Sequence, residues 1–445
     1  MVLGPLDRRA VKTRCQACSK RRIKCAGPPP CSYCKKKNIK CSPQVNNPTT
    51  NMVFVNTRPG PASETCQLSH GISPNETDAA LAQFFIVFIA RNDFSGGDLD
   101  IDAIVSCFQR SSSLYHAALA IGALDLRNIS PSLSNRRVVT ARALASYQIS
   151  ITSFSSEIQS SNIGQSDEAL WTTFFLGLFE LMYDVTGEGW VKHILYGTSS
   201  ILQFRGPEAH LDGRGRSFFL TIRPFEICRS LIYSEPSFLS RPEWLDVTKR
   251  LWCGGFECHP KEKLFDLMLS CSSLSCKVWE AVKSDAMTFD DVLLLRLSNE
   301  GHRLRGLLHD WHERFQQKEE SWSVLALSYY HAISIYLSGI FDYRPQFDHI
   351  SSPSLAHKTI QAHVTGILTN VELGLRTTKL AGIFFFFPLR VAGARATSPW
   401  QKATILEMLK EISSRAFVVA DAFVLDLNTL WLTTRKREEA RKAWD

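Results

Sequence analysis

No segment of the sequence is expected to carry the chain out of the cell or across a membrane. Its start, MVLGPLDRRAVKTR, is basic, but no apolar run follows, so no secretory signal is expected. The most apolar stretch, residues 380–389 (LAGIFFFFPL), is about half the roughly 20 residues that a span needs, and Pro388 and Arg390 close it. Without an exported context, its 13 cysteines, an odd number, are expected to be reduced thiols of an intracellular chain. Signs of catalysis are also missing. There is no glycine-rich phosphate loop, no G-x-S-x-G and no H-E-x-x-H, so no enzyme is expected. Runs that alternate as strands do are few.

One absence is local. Residues 15–41, CQACSKRRIKCAGPPPCSYCKKKNIKC, contain no acidic residue, but eight Lys or Arg and six of the 13 cysteines. The net charge of +8 divides unevenly: residues 1–48 carry +11 and the remaining chain −3. Basicity confined to one end is the footprint of a nucleic-acid-binding module on a near-neutral body.

The cysteine spacing is C-x2-C-x6-C, then x5, then C-x2-C-x6-C. A shift of 16 residues lays Cys15, Cys18 and Cys25 on Cys31, Cys34 and Cys41, and Lys20, Arg21, Ile23 and Lys24 on Lys36, Lys37, Ile39 and Lys40. The segment is therefore two copies of one unit. Ile23, Tyr33 and Ile39 are nearly its only large apolar residues, too few to offset chain entropy, so it needs a staple. In a reducing compartment zinc suits thiolates better than disulfides do. Two tetrahedral zincs need eight ligand positions, and six thiolates fill them only if two bridge. The repeat makes Cys15 and Cys31 the bridges. Each CxxC places two sulfurs on one face of a helical turn, and the surrounding cations offset the cluster's negative charge. Pro28, Pro29 and Pro30 restrict the joining loop. A four-cysteine ribbon on Cys15, Cys18, Cys31 and Cys34 would leave Cys25 and Cys41 unused and the matching x6 gaps unexplained.

This stretch resembles the fungal zinc binuclear cluster DNA-binding domain. All six cysteines match that family's spacing, as do the basic run after the second cysteine and Pro29, two residues before the fourth. The resemblance implies that Arg21 and Arg22, three and four positions after the second cysteine, read bases in a CGG-type triplet. Such modules place a helix in the major groove, where guanine O6 and N7 accept from Arg or Lys. Arg22 overlays Asn38, so the halves differ: the first would read bases and the second, KKKNIK, would hold phosphate. Arg14, Lys20, Lys24, Lys35, Lys36 and Lys37 are the expected phosphate partners by charge and placement. The same basic runs suit nuclear import.

Residues 1–14 read as a basic arm, 15–41 as the cluster, and 42–76 as a flexible linker rich in Pro, Asn, Thr and Ser. No heptad coiled coil follows the cluster, so a homodimer would have to form through the remainder of the chain. From about 77 to 445 the pattern is helical. Leu144, Tyr147, Ile151, Phe154 and Ile158 step by three and four, as do Ile405, Met408, Ile412, Ala416 and Val419. Breaks fall at Pro131, at 187–189, at Gly206-Pro207 and at Pro242. The fold expected is a small N-terminal zinc binuclear cluster domain, a linker and a large all-α domain.

The resemblance extends, more weakly, into that domain. Residues 179–207 (FELMYDVTGEGWVKHILYGTSSILQFRGP) and 386–396 (FFPLRVAGARA) are similar to segments of the fungal transcription factor regulatory domain. This implies a body that sets activity or senses effectors. His302, His309 and His312 on one helix read as structural or solvated. Cys253, Cys258, His259, Cys271 and Cys276 have spacings unsuited to chelation, and residues 384–387 read as core. The whole reads as a nuclear, zinc-dependent regulator of RNA polymerase II transcription, with double-stranded DNA and transcription machinery or co-regulators as partners and no membrane. The competing expectation is a helical scaffold or co-regulator whose cluster is structural or serves import.

Overall fold

Helix starts and stops in the chain follow local chemistry. Ser111, Ser166 and Ser398 cap the helices that follow them by accepting from backbone N–H groups three residues on, and Ser398 with Gln401 completes a reciprocal capping box. Pro242 and Pro399 stand at first helical positions, where no N–H is needed. Gly206 ends a helix with φ at +79°, in the left-handed region that favours glycine.

A computed structural model describes residues 31–37, 74–94, 101–130, 132–159, 166–187, 197–252, 260–283, 291–315 and 321–442. The chain divides into two compact units, residues 1–68 and 69–445. In the first, the described element is α1 (Ser32–Lys36). The described elements of the second are α2 (Pro74–Arg91), α3 (Ile101–Ser106), α4 (Ser112–Ile129), α5 (Leu133–Ile158), α6 (Asp167–Tyr183), α7 (Ser199–Arg205), α8 (Gly213–Tyr233), α9 (Pro242–Arg250), α10 (Pro260–Lys283), α11 (Asp291–Arg314), α12 (Ser321–Gly339), α13 (His357–Thr377), α14 (Phe386–Arg395), α15 (Pro399–Ser414) and α16 (Ala420–Lys442). Short 3-10 turns join several of these. Among the described residues there is no strand, only one parallel bridge between Asp93 and Leu380. The all-α body is as expected.

Within the second unit, α2, α4, α5 and α6 form one bundle. The run α8, α10, α11, α12 and α13 packs neighbour on neighbour beside it, and α14 to α16 close over α12 and α13. The two ends of the unit meet. Asp93 exchanges backbone bonds with the 379–381 segment (2.7 and 3.0 Å), Val419 N donates to Leu181 O (3.2 Å), and the Phe417 ring meets Phe88 and Phe94. The α2–α4 approach requires glycine: a Cβ on Gly122 would stand 2.0 Å from the Leu81 carbonyl oxygen.

The α5 face differs in part from its expected stripe. Phe154 is buried, and Tyr147, Ile151 and Ile158 pack against the core, but Leu144 is exposed. The fully inward positions are Ala143, Ser146 and Ser150. Small residues let α4 and α5 approach closely, and the hydroxyl of Ser150 donates to the Ser113 carbonyl (2.7 Å). Ile405, Met408 and Ile412 line the inner face of α15 as expected. Ala416 and Val419 are buried too, but beyond the helix end, with Ala416 at φ +118°.

Candidate functional site

The described part of the cysteine-rich unit is 31–37. Cys31 is the N-cap of α1, its carbonyl accepting from Lys35 N (3.0 Å), and Cys34 lies three residues on. Positions i and i+3 share one helix face, with Cβ atoms roughly 5–6 Å apart. Both cysteines are buried, at 1% exposure, although the segment is short and the adjacent Tyr33 is only partly buried. Lys35, Lys36 and Lys37 are exposed, and Lys35 and Lys36 fall in the last turn, where the helix dipole favours positive charge. The helix thus turns two soft donors inward and three cations outward. Paired thiols on one turn fit zinc, and exposed lysines fit phosphate. Cys15, Cys18, Cys25 and Cys41, with Arg14, Lys20, Arg21, Arg22 and Lys24, lie outside the described residues. So do Cys253, Cys258 and His259.

In the helical unit several segments singled out in the sequence serve the core and its ion pairs. Phe384, Phe385, Phe386 and Phe387 are core. Gly393 of α14 lies against Leu427, and its carbonyl accepts from Trp431 Nε1 (2.8 Å). Arg390 pairs with the buried Asp426. His302 and His309 are exposed, and His312 stacks on Tyr330 at 4.3 Å. Sequence reasoning missed His331 and His363, 32 residues apart on α12 and α13, whose Nδ1 atoms share a hydrogen bond of 2.9 Å. Burial holds both down to about 4, so one neutral ring donates and the other accepts. Cys271 is a core thiol, pushed up to about 12 by burial. Among the described residues no group of three or more His, Cys, Asp or Glu is placed to hold a metal, and no helix is long and apolar enough to cross a membrane.

Residues 13–50 match the fungal Zn(2)-Cys(6) binuclear cluster domain, and residues 82–444 match the fungal specific transcription factor domain. The chain belongs to the latter family. Its two matched domains are those of DNA-binding, zinc-binding fungal transcription factors. The cluster match implies two zinc ions and a DNA partner, and the pair of domains implies a nuclear location. An uncharacterized protein of Emericella nidulans is 32% identical over 116 residues, which cover 26% of this chain and 24% of that protein, so the chain spans about a quarter of that relative's length. No solved structure matches.

Proposed function

We propose that the protein is a sequence-specific, zinc-dependent regulator of RNA polymerase II transcription that reads CGG-type triplets through the major groove. The observation that carries this is the α1 geometry, a buried Cys31–Cys34 pair beside three exposed lysines, within a stretch that matches the binuclear cluster domain. Cys15, Cys18, Cys25, Cys31, Cys34 and Cys41 are the six ligands, with Cys15 and Cys31 bridging. Bound zinc supplies the cross-links that a 27-residue segment cannot obtain from an apolar core. Arg21 and Arg22 donate to guanine edges. Arg14, Lys20, Lys24, Lys35, Lys36 and Lys37 fix the module on phosphates. Residues 77–445 receive the regulatory input and engage transcription machinery or co-regulators, and any homodimer forms through them. The protein acts in the nucleus.

The test is a binding-site selection on random duplex DNA with full-length, zinc-loaded protein, its metal content quantified alongside. Two zincs per chain and an enriched CGG-type motif are expected. One triplet means a monomeric reader, and two at fixed spacing mean a dimer. With about five phosphates neutralised, the log–log salt slope should be roughly −4.5. Two zincs with no enriched motif would refute sequence-specific reading and leave the scaffold role.

A further inference from the structure

The first turns of α10 and the last turns of α11 enclose a cavity of about 360 Å³. Its floor is apolar: Leu267 and Trp311 are buried, and Leu307 and Phe315 complete it. The Trp311 and Phe315 rings stack at 4.6 Å and 24°, and Trp311 is fixed by donating from Nε1 to the Pro260 carbonyl (2.9 Å). The rim is charged and exposed, with Lys263, Arg314 and Asp310. Neighbouring charges are committed elsewhere. Glu262 and Asp266 pair with Arg223, and Lys261 lies over Trp322. Among the described residues neither Lys263 nor Arg314 has a carboxylate partner. Among the described lining residues, two cations without a carboxylate partner and one acid therefore surround an aromatic floor, a net positive set.

We propose that this cavity binds a small aromatic carboxylate that also carries a hydrogen-bond donor. The ring lies on the Trp311–Phe315 floor, the carboxylate meets Lys263 and Arg314, and Asp310 accepts from a hydroxyl or amine on the ring. The volume is at the lower end of the roughly 300–1,000 Å³ of small-molecule sites, which suits one ring better than an extended peptide. The proposal is independent of how the cluster reads DNA.

The test is calorimetric titration at low salt of full-length, zinc-loaded protein with 4-hydroxyphenylacetate, its neutral amide, phenylacetate and cyclohexylacetate. The hydroxy acid should bind at one site per chain, and the amide and cyclohexylacetate about tenfold more weakly. Lys263→Ala with Arg314→Ala should weaken the acid about tenfold, and Leu307→Trp, which fills the cavity, should abolish binding. Asp310→Asn should erase the preference for 4-hydroxyphenylacetate over phenylacetate. All three rim residues are exposed, so these variants should keep the parent circular dichroism and the parent affinity for DNA. Equal binding of acid and amide, binding unchanged in the rim and Leu307→Trp variants, or no saturable heat with the hydroxy acid would overturn the proposal and leave the DNA-binding reading untouched.

Discussion

Acid should loosen the helical body through His210. This side chain is fully buried in the 3-10 turn after Gly206, against the rings of Phe219 (5.9 Å) and Trp244 (5.7 Å), which stack on each other. Burial pushes it down to about 4 from 6.5, with Arg205 adding to the shift and the Gly215 carbonyl, 3.2 Å from Nδ1, and Asp167 opposing it. The neutral ring is the folded form. In the unfolded chain the ring takes up a proton as pH falls through 6.5, whereas in the folded chain it does so only near 4, so stability is complete above 6.5 and lost between these values. At about 1.36 kcal/mol per unit, the loss is about 1.4 kcal/mol at about pH 5.5 and about 3 kcal/mol at about pH 4. His331 and His363 shift the same way and add to it, so a variant must isolate His210. His210→Phe keeps a ring against Phe219 and Trp244 and removes the titration. It also removes the contact with Gly215, at about 1 kcal/mol independent of pH. Urea unfolding of parent and variant, followed by circular dichroism at about pH 7.5 and about pH 5.5, should show the variant losing about 1.4 kcal/mol less between the two. Equal losses would refute a buried neutral His210.

Other perturbations probe the remaining features. Gly122→Ala drives a methyl into the Leu81 backbone and should destabilise by about 2 kcal/mol or more, whereas Gly306→Ala on α11 meets nothing within 4 Å and should stabilise by up to about 1 kcal/mol; urea midpoints distinguish them. Arg223→Met leaves the buried Glu262 with Lys261, at 3.7 Å, as its remaining cation and should cost about 3 kcal/mol, most of it recovered when Glu262→Gln is added, measured the same way. Removing zinc with a chelator should abolish DNA retardation in a gel while leaving the far-ultraviolet helical signal almost unchanged, because that signal comes from the body and α1 contributes five residues.

The body was legible in the sequence wherever a helix buries large apolar residues at regular steps. Ile405, Met408 and Ile412 show this, each inward on α15. Ala416 and Val419 kept the same spacing after the helix had ended at Ser414, because periodicity measures intervals and cannot detect a residue at φ +118°. On α5 the apolar count missed Ala143, Ser146 and Ser150, since closely packed helices select small side chains and the Ser150 hydroxyl bonds to backbone. The His331–His363 bond and the cavity between α10 and α11 join positions on different helices, and no local pattern links them. The i, i+4 pair Trp311 and Phe315, with Leu307 one turn earlier, was the one trace of that cavity in the sequence, and it reads equally well as core.

The cysteines show why the cluster was legible when the cavity was not. Cys271 is buried in a large apolar core, and that burial holds its proton on, so nothing more is needed to account for it. Cys31 and Cys34 are as well buried, at 1%, within a 27-residue stretch that has Ile23, Tyr33 and Ile39 as nearly its only large apolar residues. An apolar core of that size cannot cover two thiols, so their burial points to a different kind of centre. The unit that needs such a centre also holds the chain's excess positive charge and exposes Lys35, Lys36 and Lys37 beside the pair. Thiol spacing and charge excess are both local properties of one short segment, so they survive in the bare sequence. Burial and electrostatics, as separate observations, both support the proposed reading of a metal-stapled module that binds a polyanion.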